Sequence, residues 1–173
     1  LFQALVDHLE SSYGGIRVAL LPGTAQNVQH GTVRRFDPVS RSLVISELLP
    51  PSSRLFQVAH QIGLLAASGE IGALLGDGGR IQGDARALGR SALANYFAAA
   101  LIMPYDAFIE AARFTRYDIE IMEHRFGVSF EQVCHRLTTL QRPGDKGVPF
   151  HMLRVDIAGN PAKRFSASGL CLP

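Results

Sequence analysis

The sequence has no tryptophan, only two cysteines, and a formal net charge of just +2 over 173 residues. Cys134 and Cys171 lie far apart and neither belongs to a C-x-x-C pair, which argues against a disulfide framework or a cysteine-built structural zinc site. Such cysteine usage points to a reduced, cytoplasmic setting. The low net charge excludes a massively basic nucleic-acid binder while leaving local basic patches open. No apolar run reaches membrane-span length, because Ser, Gly or a charge interrupts each one, so no membrane partner is expected. A signal peptide, internal repeats and low-complexity tracts are also missing. The chain opens on Leu1 rather than Met, already in helix-like sequence, and reads as an excised piece of a longer protein.

What is there is ordinary core-forming material. Apolar residues make up 47%, inside the globular range and enough for one domain with a small appendage. Leu1–Ser11 has the spacing of an amphipathic helix ended by Tyr13-Gly14-Gly15. Ile16–Leu21, Thr32–Phe36 and Ser42–Leu48 read as strands of a small antiparallel or mixed sheet, with Asp37-Pro38 supplying a turn. Pro50–Ser53 reads as a loop ending in an N-cap, followed by helices over Arg54–Leu65, Ser68–Leu75, Ala85–Met103 and onward from Pro104 to Ala112. Asp118–Phe126 and Phe130–Leu140 form a helix pair, the second opened by a Ser129/Gln132 capping box. Phe150–Ile157 and Ala162–Phe165 flank Ala158-Gly159-Asn160-Pro161, a hairpin signal. The expected class is α+β: an N-terminal sheet, a helical centre and a C-terminal β-hairpin.

Four features carry candidate chemistry. His60-Gln61-Ile62-Gly63-Leu64 has the outline of the zinc-protease motif H-E-x-x-H, in which two histidines share a helical face and a glutamate activates water. Here the base position holds an amide and the second ligand position a leucine. The helix Ala85–Met103 offers no glutamate as a third ligand. A lone helical histidine is more often a hydrogen-bonded pocket residue. The helix pair Asp118–Leu140 has helix-turn-helix proportions, but Glu131, Gln132, His135 and Arg136 make a mixed-charge face, and ordinary helix packing is the favoured reading. Arg17, Arg34, Arg35, Arg41 and Arg54 cluster on the elements expected around the His60 helix. Guanidinium groups bind phosphate bidentately, so a cleft with a basic mouth suits an anionic organophosphate, although any one of them alone is better read as solvated. Tyr96 has an aromatic face and a polar tip suited to a planar ring, whereas Phe97 reads as core.

The His60–Leu64 stretch followed by Leu93-Ala94-Asn95-Tyr96-Phe97-Ala98-Ala99-Ala100-Leu101-Ile102-Met103-Pro104 resembles the ImmA/IrrE-type zinc-peptidase-like domain with its metal site erased. The stretch from Arg125-Phe126-Gly127-Val128 to Gln141-Arg142-Pro143 is similar to the short-chain fatty acyl-CoA-responsive transcriptional regulators. The resemblance runs from about Ile16 to Gly169. It implies a zincin-like helical centre, a ligand-binding domain over 1–142, and a hairpin over 143–173 leading into a cysteine-bearing region. It further implies CoA or a short-chain acyl-CoA such as propionyl-CoA as effector, and neither catalytic residues nor a bound metal. DNA contact would be made only through a helix-turn-helix outside this chain, and assembly as a homo-oligomer is expected. The ligand set expected on this basis is Arg17, Arg34, Arg35, Arg41, Arg54, Gln57, His60, Gln61 and Tyr96. An atypical metallopeptidase and an inert interaction module stay as the alternatives.

Overall fold

Apolar residues at three- and four-residue spacing build α1 (Phe2–Ser12), which buries Leu5 and Leu9. The computed structural model, which describes residues 1–23, 33–76 and 82–167, continues with β1 (Arg17–Leu21), β2 (Arg34–Asp37) and β3 (Ser42–Ser46). Thr32, expected to open the second strand, lies outside the described residues. β3 is the middle strand, with β1 parallel and β2 antiparallel to it. The sheet is therefore mixed. β2 and β3 form a hairpin and must run in opposite directions, whereas β1 and β3 are not joined by one and are free to align. Asp37 secures the hairpin turn by accepting from the Val39 N–H at 2.9 Å and the Ser40 hydroxyl at 2.7 Å.

The register sorts the side chains. Leu43 and Ile45 are fully buried, and their partners Phe36 and Arg34 share that face. Arg35 pairs with Val44 and Arg17 with Ser42, which puts both arginines on the opposite face.

α2 (Pro51–Ala66) starts three residues earlier than the sequence suggests. Pro51 takes the first helical position, where a missing N–H costs nothing and its fixed φ suits the helix, so Ser53 lies inside the helix and does not cap it. α3 (Ser68–Leu75) and α4 (Gly83–Ile102) follow. α2 lies along α4, burying Val58, Ala59 and Ile62 from one helix and Ala94, Ala98, Ala99 and Ile102 from the other. Gly63 permits the close approach: a Cβ there would stand 2.9 Å from the Phe97 ring. Phe97 is thus packing material, as expected.

The chain divides into two compact units, Leu1–Ile102 and Met103–Pro173. The second contains α5 (Tyr105–Phe114), α6 (Ile119–Phe126), α7 (Phe130–Thr138) and the strands β4 (His151–Val155) and β5 (Pro161–Ser166). Its core is Phe108, Ile109, Met122, Val133, Leu137 and Leu140. Asp118 caps α6 through the Ile121 N–H, and Gly127 ends that helix in the left-handed region. The Ser129/Gln132 capping box is formed in both directions. β4 and β5 pair antiparallel, and Asp156 braces their turn by accepting from the Ala158 and Asn160 N–H groups. Overall the class is α+β, with a small mixed sheet and a C-terminal strand pair.

Candidate functional site

His60 sits in the middle of α2, buried at 6% exposure. The guanidinium of Arg34, carried on the helix-facing side of β2, donates from Nη1 to His60 Nδ1 at 2.5 Å. Arginine has donors only, so Nδ1 must accept, and the neutral ring then carries its proton on Nε2. Burial first, and the charge of Arg34 second, hold His60 down to a pKa of about 4, while a main-chain hydrogen bond to Ser91 of α4 pulls the other way. Burial likewise lowers the pKa of Arg34. Among the described residues no carboxylate forms an ion pair with Arg34. The site is a partly desolvated cation resting on a neutral imidazole.

A zinc ligand needs a ring lone pair, which Nδ1 already gives to Arg34. Gln61 cannot act as a base, Leu64 cannot ligate, and no group of three His, Cys, Asp or Glu comes together among the described residues. The residues present do not fit the zinc ion that the motif's outline implies. Gln61 is 2% exposed, and its Oε1 finds no hydrogen-bond donor among the described residues. Gln57, half-buried, is three and four residues before His60 and Gln61 on the same side of α2. Arg54, also half-buried, is one turn further back.

The remaining expected residues stand elsewhere. Arg17 and Arg35 are exposed on the outer face of the sheet. Arg41 occupies a left-handed turn position (φ 49°), donates to the Gly14 carbonyl at 2.6 Å, and accepts the Arg17 N–H on its own carbonyl. Its side chain ties the α1–β1 loop to the β2–β3 hairpin. Tyr96 is 51% exposed. It lies two residues from both Ala94 and Ala98, about 200° around α4 from the stripe that meets α2, so it does not join His60. Ser91 is the α4 residue that reaches His60, and the sequence reading missed it. The signal was its place three residues before Ala94, on the same alanine stripe.

The would-be recognition helix, α7, is committed to packing. Arg136 is 2% exposed and donates to the Met103 carbonyl and the Thr139 hydroxyl, both at 3.0 Å. Glu131 is paired with Arg154 at 2.8 Å and also with Lys163, and the His135 ring lies 4.2 Å from that of Phe165. The hairpin therefore occupies Glu131 and His135, while Gln132 serves the capping box and Arg136 the core.

With this geometry in hand, comparison with known proteins decides the family. The model for the IrrE N-terminal-like domain matches residues 12–138, and that for the short-chain fatty acyl coenzyme A regulator C-terminal domain matches residues 139–173. The chain belongs to the IrrE N-terminal-like family. Within it, the chain is 43% identical over 157 residues to the HTH-type transcriptional regulator PrpR of Mycobacterium tuberculosis, covering 89% of this chain and 31% of that protein. It is 41% identical to the HTH-type transcriptional regulator RamB of the same species over 155 residues, covering 90% of this chain and 32% of RamB. A propionyl-CoA carboxylase regulator of Cereibacter sphaeroides is 50% identical over 119 residues, covering 68% of this chain and 25% of the regulator. A solved Mycobacterium tuberculosis transcriptional regulator superposes with a TM-score of 0.85 at 40% identity, covering 96% of this chain and 49% of that one. The chain thus spans between a quarter and a third of the length of these curated relatives. The resemblance read from the sequence is borne out. Its relatives are named as regulators, and this IrrE-like domain accompanies a regulator-specific C-terminal segment.

Proposed function

We propose that this domain is the effector-sensing part of a transcriptional regulator of propionate and short-chain fatty acid metabolism, binding CoA or a short-chain acyl-CoA such as propionyl-CoA. The observation that carries the reading is Arg34: a partly buried guanidinium whose side-chain partner among the described residues is a neutral ring instead of a carboxylate. Such a cation is electrostatically underused, and a phosphate oxygen is a far stronger partner for it than an imidazole. Gln61 adds a buried acceptor without a donor among the described residues, a cost of about 1–3 kcal/mol that a ligand N–H or hydroxyl would relieve.

Arg54 and Gln57 extend the Arg34–His60–Gln61 site along α2. Arg17 and Arg35 on the opposite face of the sheet, Arg41 with its side chain on the Gly14 carbonyl, and Tyr96 turned away from His60 on α4 are left out of this proposed set. The names of the relatives support the ligand class, since one is a regulator of a propionyl-CoA enzyme and the C-terminal family is named for acyl coenzyme A. In this reading the domain is a binder and not a peptidase, it works in the cytoplasm, and DNA is held by a separate helix-turn-helix such as the relatives' names record. Isothermal titration with propionyl-CoA tests the reading, together with elemental analysis of the purified domain. Saturable heat in a zinc-free protein supports it. Absence of heat and of any thermal shift, or stoichiometric zinc that His60→Ala removes, would overturn it.

A further inference from the structure

His60 has both of its ring nitrogens engaged. Nδ1 accepts from Arg34 at 2.5 Å, so the proton of the neutral ring is on Nε2. The main-chain bond to Ser91 favours the charged form of the ring, which identifies the Ser91 partner as its carbonyl, accepting from Nε2–H. The charge that acts on this buried ring among the described residues is that of Arg34. On the elements packed against α2, Asp7, His8 and Glu10 of α1, Glu70 of α3, and Asp84 and Arg90 of α4 are exposed. Arg86 of α4 is turned to the Gly76 carbonyl. β3 buries only Leu43 and Ile45, and Arg35 lies on the far face of the sheet. On α2 itself the other charge is Arg54, half-buried.

A ligand phosphate that takes over the Arg34 guanidinium removes the donor on which Nδ1 rests. Neither neutral form of the ring then suits its surroundings. With the proton left on Nε2, the Nδ1 lone pair faces the anion. With the proton moved to Nδ1, the Nε2 lone pair faces the Ser91 carbonyl. Only the imidazolium donates at both nitrogens, to the phosphate and to the carbonyl together. We propose that anion binding at Arg34 protonates His60, so that the site takes up one proton from solvent with each ligand it binds. This rests on the effector reading above and adds a regulation of the same site by pH. In the free protein, burial and then the charge of Arg34 keep the ring neutral down to about pH 4. A bound phosphate offsets that charge and favours the imidazolium. Through the neutral range the bound state therefore holds more protons than the free state, and affinity rises as pH falls.

Isothermal titration of propionyl-CoA into the full chain at pH 7, repeated in PIPES and in Tris, provides the test, because the difference in heat between buffers of unlike ionisation enthalpy counts the protons exchanged. The wild type is expected to take up between about half a proton and one per ligand, and to bind about two- to tenfold more tightly at pH 7 than at pH 8. In His60→Gln the amide can accept from Arg34 or donate to a phosphate without titrating. Its binding should exchange about one-half to one proton fewer. Protons exchanged by the ligand itself are common to both proteins and cancel in that difference. The ring nitrogen-15 signals of His60 in the wild type give a second measurement, which decides the matter if the variant fails to fold or bind. One bare and one protonated nitrogen are expected in the free protein, and two protonated nitrogens in the complex. A wild type that binds with no more proton uptake than the variant, or a ring that stays neutral in the complex, overturns the coupling and leaves the effector reading standing. Absence of any binding overturns the effector reading and the coupling with it.

Discussion

Each unit of this chain withdraws an arginine from solvent, Arg136 fully and Arg34 in part, and the two are treated in opposite ways. Arg136 in α7 is enclosed by fixed partners: the Met103 carbonyl, the Thr139 hydroxyl and, 5.8 Å away, the Tyr105 ring. Arg34 in β2 is only partly withdrawn, and its side chain rests on one neutral imidazole. Arg136 has been made part of the frame. Among the described residues Arg34 has His60 as its side-chain partner and no carboxylate, which is the observation on which the proposed ligand site rests. Burial alone therefore does not separate a structural cation from a candidate binding one; the partners it has been given differ.

The largest expected effect separates these two arginines by stability. Arg136→Ala leaves a cavity and an unpaired Met103 carbonyl in the second unit's core, and should lower unfolding stability by about 2–4 kcal/mol. Arg34→Ala removes a poorly compensated charge and should cost under about 1.5 kcal/mol. Urea denaturation of the two variants checks this, and equal losses would erase the distinction.

Next comes acid. The unfolded His60 takes up its proton near its ordinary pKa of 6.5, and the folded one only near 4. Between those values the unfolded state binds more protons, so the stabilisation is fully present above about pH 6.5 and is lost as pH falls to 4. The loss from this one group is roughly 3 kcal/mol. His60→Gln keeps an acceptor for Arg34 but cannot titrate, so a stability–pH profile of that variant should lose this share of the slope. The smallest effect is local to the second unit. Ser129→Ala removes half of the capping box of α7 and should cost about 1 kcal/mol in thermal unfolding, with no effect on anything in the first unit.

The sequence made the helices and their broken motif readable because three- and four-residue spacing is a strong local signal. Arg34 and Arg35 could not be told apart in that way. Neighbours in a strand point to opposite faces, and only the pairing of Arg34 with Ile45 decides which of the two turns toward α2. Arg136 was open to a better reading. It continues the stripe of Val133, Leu137 and Leu140, all buried, and a charge on such a stripe predicts burial with partners, not a DNA-facing side chain. The early start of α2 at Pro51 escaped because two prolines beside two serines also spell a loop. Ser91 escaped because it acts on His60 through its main chain, which residue type does not encode.

The central claim is that Arg34 is held for an anionic ligand at His60. Parallel titrations of propionyl-CoA into the wild type and into Arg34→Gln test it most directly. The account predicts saturable binding to the wild type, weakened at least about tenfold in the variant, as loss of a charge-assisted contact to phosphate requires, with the variant's fold intact by circular dichroism. Equal affinity in both proteins would contradict it.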